Sequence, residues 1–219
     1  MHIRENAVSR DIMATDYTEL TESNGKHPRT ARGLKTKRKL LDAAALEFGE
    51  KGFHEASITG ITQRAGTALG SFYTYFDSKD ELFSALVKEL SNMVKERAAL
   101  ALAPKQSAID AERSVLHTFL EFARDHQEIY RIIDEAEFID PQSYREHYEH
   151  AAQRIEERLA EGAKAGELRS DIGEIEAWAI MGMNVFLGLR YGIWSEEKSA
   201  AEIAEIANGI LARGIVSDR

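Results

Sequence analysis

Ser57-Ile58-Thr59-Gly60-Ile61, Ala65-Gly66, Gly70-Ser71-Phe72-Tyr73-Thr74-Tyr75-Phe76 and Ser78-Lys79-Asp80-Glu81-Leu82 follow one another inside the stretch from Lys35 to Leu82, and their reading decides the fold. Working outward, Leu40, Leu41, Ala44, Ala45 and Phe48 share one helical face, and Gly52 is placed to end that helix in a left-handed turn. Ser57 supplies a hydroxyl N-cap to a second helix with the stripe Ile58, Ile61, Ala65, and Gly66 makes the turn after it. A third helix begins near Ala68 or Leu69 and carries Phe72, Tyr73, Tyr75 and Phe76. Ser78 with Glu81 three residues on is a capping box that opens the fourth. Three short helices with a glycine turn between the second and third form the layout that lets one helix enter a DNA major groove.

Charge is distributed to match. The chain of 219 residues carries a formal net charge of −9, yet Lys26 to Phe76 hold nine Lys or Arg against four acids, so this segment alone is positive. An acidic body with a basic head directs a polyanionic partner to the head. Residues 1–33 have no sustained helical period and read as a mobile tail; Arg29 to Lys39 hold six positive charges and no acid, which serves either a solvated arm or an arm that follows phosphates or a minor groove. With 43% hydrophobic residues the remainder can bury a sizeable core. No run approaches the ~20 apolar residues of a membrane span, no apolar segment near Met1 reads as a secretory signal, and the absence of cysteine excludes disulfides and thiolate sites. A cytoplasmic location is expected.

Ala65-Gly66, Gly70-Ser71-Phe72-Tyr73, Tyr75-Phe76 and Ser78-Lys79-Asp80-Glu81-Leu82, spaced as they are behind Phe48-x-x-x-Gly52-Phe53, resemble the N-terminal DNA-binding domain of TetR-family transcriptional regulators over the 48 residues from Lys35 to Leu82. The resemblance implies an all-α chain with a helix-turn-helix DNA-binding domain at residues 34–82 and a helical ligand-binding and dimerisation domain at 83–219. It implies DNA contacts from Ser57 and Thr59 at the start of the second helix, from Leu69, Gly70, Ser71, Tyr73, Thr74 and Tyr75 on the third, and from Arg38 and Lys79 beside them. Gly70 leaves room for close backbone approach to a groove wall, and Ser71 can bond a base edge or a phosphate. Tyr73 and Tyr75 stay open between phosphate contact and core packing with a satisfied hydroxyl; Lys79 stays open between a phosphate contact and a solvated charge; Phe72 and Phe76 read as core. Ala68 stands where a hydroxyl cap is common, so Thr67 is the alternative cap, and Leu69 can meet a thymine methyl.

Beyond Asp77 the periodicity is helical throughout. Expected helices are Lys79–Ala103, Ala108–Asp125, Glu128–Ile139, Gln142–Ala165, Glu174–Trp194 and Ala200–Arg213, separated at Pro104, Asp140-Pro141, Gly166 and Ile172-Gly173. Glu174–Trp194 is apolar nearly all round. Trp178, Met181, Val185 and Leu189, close-approach glycines Gly188 and Gly192, and the stripe Ile203, Ile206, Ile210 predict a homodimer through a four-helix bundle, with burial inside one subunit as the alternative. The resemblance implies a dimer too, bound to a pseudo-palindromic operator, and a small-molecule effector among the middle helices. Phe119, Phe122, Tyr130, Ile133 and Phe138 supply apolar and aromatic material for it, as do Tyr144, Tyr148, Met183 and Phe186, although helical spacing also permits a plain core role for each; Glu137, Arg145, Asn184 and Arg190 either orient the ligand or sit on the surface. Glu137-Phe138-Ile139-Asp140-Pro141-x-x-Tyr144, with Trp178-Ala179-Ile180-Met181-Gly182 and Gly188-Leu189-Arg190, is loosely similar to members that sense acyl-CoA or aromatic-acid CoA esters.

The expected function is therefore a repressor released from its operator by a small hydrophobic or acyl-CoA-like ligand; a regulator of the same fold governed by a protein partner, or one that activates, is the alternative. A helical metal-dependent enzyme is more remote: Glu146-His147-Tyr148-Glu149-His150 matches neither zinc-protease spacing, and there is no phosphate-cradling glycine loop and no Gly-x-Ser-x-Gly elbow. No catalytic residue, metal ligand or cofactor is assigned.

Overall fold

The computed structural model describes residues 26, 28, 30–195 and 197–215. Among them the chain is helical: α1 (Ala31–Lys51), α2 (Ile58–Arg64), α3 (Leu69–Tyr75), α4 (Lys79–Leu100), α5 (Ala108–Asp125), α6 (Glu128–Ile139), α7 (Pro141–Lys164), α8 (Glu174–Gly188) and α9 (Ala200–Ile215), with a π-helical turn Leu189–Ile193 following α8. The chain divides into two compact units. One runs to Leu90 and takes in Asp125–Tyr144; the other holds Ser91–Arg124 and Arg145 onward. The sequence expectation placed the boundary after Leu82 and α6 in the second domain, whereas α6 belongs to the first unit.

The first unit is organised by α1. Thr30 accepts the Gly33 N–H at 3.1 Å, so helix starts at Ala31 and the expected tail boundary at residue 33 moves back; most of the expected tail lies outside the described residues. Leu40, Leu41, Ala44, Ala45 and Phe48 are buried as their period predicts, and Gly52, at φ 80°, returns its N–H to Phe48 O at 2.7 Å. Phe48, Phe53 and Phe83 form an aromatic knot with centroids 5.1–5.7 Å apart. Burying a phenylalanine of this kind contributes roughly 2–3 kcal/mol. The α1–α2 loop is held by Lys79, whose Nζ donates to Phe53 O at 2.6 Å and Ala56 O at 2.9 Å and sits 4.3 Å from the Phe53 ring centroid. Helix α6 closes the far end of α1. A Cβ on Gly49 would stand 2.6 Å from Glu128 Cβ, so only glycine admits this approach. Arg131 then donates to the C-terminal carbonyls of Gly49 and Glu50, where the helix dipole favours a cation, and Glu135 accepts the Phe53 N–H at 2.7 Å.

Helices α2 and α3 follow their sequence signals. Ser57 accepts the Gly60 N–H at 3.0 Å, Ile61 is fully buried, and Gly66, at φ 63°, turns the chain into α3, which buries Phe72. Thr67 does not cap α3: its hydroxyl is buried and finds no partner among the described residues. Ser78 Oγ accepts the Glu81 N–H at 3.0 Å, but the Glu81 carboxylate reaches back to the Asp77 N–H instead of Ser78. Helix α4 ends at Leu100, three residues short of expectation.

In the second unit one cluster gathers Ile155, Leu159, Leu168, Ala177, Ile180, Met181 and Ile215, and another Leu116, Leu120, Ala200, Ile203, Ala204 and Ala207. The expected single helix Glu174–Trp194 is divided: after Gly188 a wider turn carries Gly192 against Ala123, and Arg124 Nε donates to Tyr191 O at 3.1 Å. A guanidinium thus satisfies a carbonyl in the wider turn. Arg158 makes two hydrogen bonds, 2.6 and 3.1 Å, to buried Glu112. His147 Nδ1 lies 2.8 Å from Ser91 Oγ, and burial, with the charges of Arg154 and His150 behind it, lowers its pKa from 6.5 to about 4.

Two outcomes follow. Lys79→Met removes the ammonium that holds the α1–α2 carbonyls and should lower stability by about 1–2 kcal/mol in urea unfolding; an unchanged midpoint would show the clamp to be idle. Because the unfolded chain protonates His147 first, stability is full above pH 6.5 and is lost as pH falls toward 4. Between pH 7 and 5 the loss from this residue is about 2 kcal/mol, and His147→Asn should shrink the acid-induced fall in melting temperature relative to the parent.

Candidate nucleic-acid interface

Helix α3 has seven residues and two unlike faces. Phe72 and Phe76 point into the core, while Leu69, Gly70, Tyr73 and Thr74 are exposed, Leu69 at 48% and Tyr73 at 49%. Positions 69 and 73, and 70 and 74, are one helical turn apart and make a continuous outward strip. Nothing among the described residues requires glycine at position 70: its φ is not positive and an added Cβ would meet open space. An exposed leucine and a half-exposed tyrosine thus stand beside a glycine with open space above it. Ser71 is half-buried at its edge, and Thr74 Oγ1 lies 3.4 Å from Gly70 O, a weak contact that leaves the hydroxyl available. Tyr75 is half-buried, its hydroxyl 3.5 Å from where a Cβ on Gly33 would stand, which turns it toward the first turn of α1. Ser57 and Thr59 are exposed at the start of α2, with the Ser57 oxygen already accepting the Gly60 N–H. Lys26 reaches the end of α3, donating to Tyr73 O at 2.8 Å and to Asp77 at 2.6 Å.

The cations near this strip sort into two groups. Arg38, expected to touch DNA, is nearly buried and bonds Asp42 at 2.7 Å and Glu89; the two carboxylates raise its pKa against the desolvation that opposes them. Its role is to tie α1 to α4. Arg64 pairs with Glu50 and Glu47, and Lys51 with Glu47. Lys79, of which a phosphate contact is expected, donates its ammonium to loop carbonyls instead of leaving it in solvent. Lys37 is half-buried beside Phe76, and burial lowers its pKa more than Glu81 and Glu89 raise it. What remains is Arg32, Lys35 and Lys39, which are exposed and make no ion pair among the described residues. They recur at spacings of three and four on one face of α1. The sequence contained this signal: Asp42 lies four residues beyond Arg38 and marks Arg38, rather than its neighbours, as the paired cation.

The residues expected to hold a ligand do not form one set. Tyr130, Ile133, Phe138 and Tyr144 belong to the first unit, and Phe119, Phe122, Tyr148, Met183, Asn184 and Phe186 to the second. Phe138 is 80% exposed and Phe186 71%, so neither is buried in its own unit. Phe122 and Ile133 are buried, Phe119 and Met183 pack on the second cluster of the second unit, and Tyr148 packs on the first. Asn184 Oδ1 is buried and accepts no hydrogen bond among the described residues. Of the expected dimer residues, Met181, Gly188, Gly192 and Ile203 are buried within the chain's own unit, Val185 and Leu189 are half-buried, and Trp178, Ile206 and Ile210 remain exposed. Phe186 joins the exposed set, because Ile175, Trp178, Gly182 and Phe186 line one face of α8. Among the described residues no group of three His, Cys, Asp or Glu is arranged for a metal, and no helix is long and apolar enough to cross a membrane.

Comparison with known proteins agrees with this arrangement. The family model of bacterial regulatory proteins, tetR family, matches residues 40–86. An uncharacterized HTH-type transcriptional regulator of Bacillus subtilis, YdgC, is 27% identical over 84% of this chain and 97% of its own length. A TetR-like transcriptional regulator from Rhodococcus superposes with a TM-score of 0.63 at 26% identity, covering 82% of this chain and 96% of that one. The transcriptional regulator FadR of Bacillus subtilis, solved in complex with stearoyl-CoA, superposes with a TM-score of 0.71 at 19% identity over 80% of this chain and 97% of its own. With a helix-turn-helix head whose third helix faces outward, and regulators of this kind matched along most of its length, this chain carries at residues 40–86 the DNA-binding domain of the tetR family of bacterial regulatory proteins.

Proposed function

We propose that this regulator is a homodimeric repressor that reads a pseudo-palindromic operator with α3 and is released by a small hydrophobic or acyl-CoA-like effector, acting in the cytoplasm without catalysis. The observation that carries the DNA reading is the outward strip Leu69, Gly70, Tyr73 and Thr74, exposed along one side of α3 with open space at Gly70. Leu69 meets a thymine methyl, Ser71 and Thr74 offer hydroxyls to base edges, and Gly70 lets the backbone lie against the groove wall. Tyr73, with Ser57 and Thr59 at the start of α2, contacts phosphate. Tyr75 keeps a packing role. Arg32, Lys35 and Lys39 supply the sequence-independent attraction in place of Arg38 and Lys79.

Dimerisation is supported by the apolar faces left open in the second unit. Ile175, Trp178 and Phe186 on α8 and Ile206 and Ile210 on α9 are exposed, and they place solvent against large apolar side chains that a second copy would cover. Half-buried Val185 and Leu189 border the same surface. Self-association by a two-fold axis gives two reading helices for two half-sites. The effector reading is supported by the stearoyl-CoA bound to the similar FadR fold, and by the unpartnered Asn184 Oδ1, a buried acceptor that calls for a donor.

Unbiased selection of bound DNA followed by gel shift tests the whole reading: half-sites of opposite orientation are expected, and no sequence preference at low salt would overturn it. Leu69→Gln should change the preferred base at one position per half-site. Lys35→Ala and Lys39→Ala should weaken all sequences alike and each reduce the salt slope by about one. Phe186→Asp with Ile210→Asp should yield a folded monomer in sedimentation equilibrium, with operator affinity lowered at least tenfold; a dimer that survives both would place the interface elsewhere.

A further inference from the structure

His147, Ala151, Arg154 and Arg158 recur along one face of α7. Two of the three polar groups on this face are matched within the second unit. Arg158 forms its bidentate pair with Glu112, whose carboxylate is buried, and His147 shares a hydrogen bond with Ser91. Arg154 lies between them and differs. It is half-buried, and among the described residues it makes no hydrogen bond or ion pair. The acid whose charge acts on it is Glu157 on its own helix, an exposed residue already bonded by Gln153; burial and the charge of Arg158 outweigh it and lower the Arg154 pKa. A guanidinium does not lose its proton under such pressure, so the charge stays and remains uncompensated.

The charge count of the cluster defines what would match it. Glu112 and Arg158 cancel, and the imidazole of His147 is neutral near pH 7, its pKa being about 4. One positive charge is left over, on a planar fork of donors whose preferred partner is a carboxylate. We propose that Arg154 is the anchor for the carboxylate of a monoanionic amphiphile, gripped beside the neutral Ser91–His147 pair and the closed Arg158–Glu112 pair. A phosphate dianion would exchange one uncompensated charge for another. The Tyr148 and Ile155 side chains on the adjoining face of α7 belong to the apolar cluster of this unit, which gives the ligand's hydrocarbon part a route from charge to core. This proposal rests on the reading of the protein as effector-responsive and names the chemistry of that effector.

Titration calorimetry on the full chain tests it with single-chain probes below their micellar concentrations: the carboxylates from hexanoate to palmitate, dodecanol, dodecyl phosphate and dodecanoyl-CoA. At least one carboxylate is expected to bind roughly ten- to a hundredfold more tightly than the alcohol of equal length. Arg154→Gln should abolish that preference while leaving alcohol binding unchanged, Arg154→Lys should retain part of it, and Lys164→Gln, at the exposed end of α7, should bind as the parent does. Loss of an unpaired charge should leave the melting temperature of ligand-free Arg154→Gln no lower than the parent's, so a folding defect would be visible and the lysine variant would then decide. A carboxylate preference that survives Arg154→Gln, a preference for dodecyl phosphate, or no binding of any carboxylate would each overturn the proposal. If dodecanol or dodecanoyl-CoA nonetheless releases the operator, the effector reading stands and only the carboxylate anchor falls; if no compound in a broad library releases it, the effector reading falls as well.

Discussion

One ammonium group holds the DNA-binding head in order. Between α1 and α2 the chain runs without helix from Gly52 to Ser57, outside the ladder of either helix. Lys79, at the first position of α4, collects the carbonyls of Phe53 and Ala56 while lying over the Phe53 ring. The same ring is stacked into the knot with Phe48 and Phe83, so the clamp joins a polar constraint to an apolar one at a single residue. Helices α2 and α3, each of seven residues, are too short to be stable by themselves and depend on this attachment.

Charge in the head is divided between holding and reaching. Arg38, Arg64 and Lys79 face carboxylates or carbonyls and fasten separate elements to one another, while Lys51 pairs with Glu47 within α1. Arg32, Lys35 and Lys39 stay in solvent, where an ion pair with a phosphate costs little desolvation. A head whose basic residues were all exposed would repel itself; one whose basic residues were all paired would have no attraction for DNA. The division explains how a chain of net charge −9 presents a positive surface where it is needed.

The second unit shows the complementary problem, polar groups placed inside an apolar bundle. Glu112 with Arg158 and Ser91 with His147 are closed pairs. Half-buried Arg154 has no such partner among the described residues, and the buried Oδ1 atoms of Asn184 and Asn208 accept no hydrogen bond there. On α8 and α9 the same unit leaves large apolar side chains exposed, among them Phe186 and Ile210.

The order of letters by itself determined the helices and their turns. The ends of α5 and α6 fall where the apolar period and the flanking breakers place them, and Gly52 and Gly66 adopt the positive φ that their positions demand, because period, caps and turn chemistry act over a few residues. The amphipathic third helix, with Phe72 inward and Leu69 outward, was legible for the same reason. Tertiary structure alone decided the partners. Arg38 meets Glu89 across 51 positions and Lys79 meets Phe53 across 26, contacts that no local spacing announces, and they give internal partners to two cations expected at DNA. Likewise α8 is apolar on all sides, so its sequence could not tell Met181, which faces the core, from Phe186, which faces out. Which side of such a helix is covered depends on the neighbours it finds in space, and that information exists only once the chain has folded.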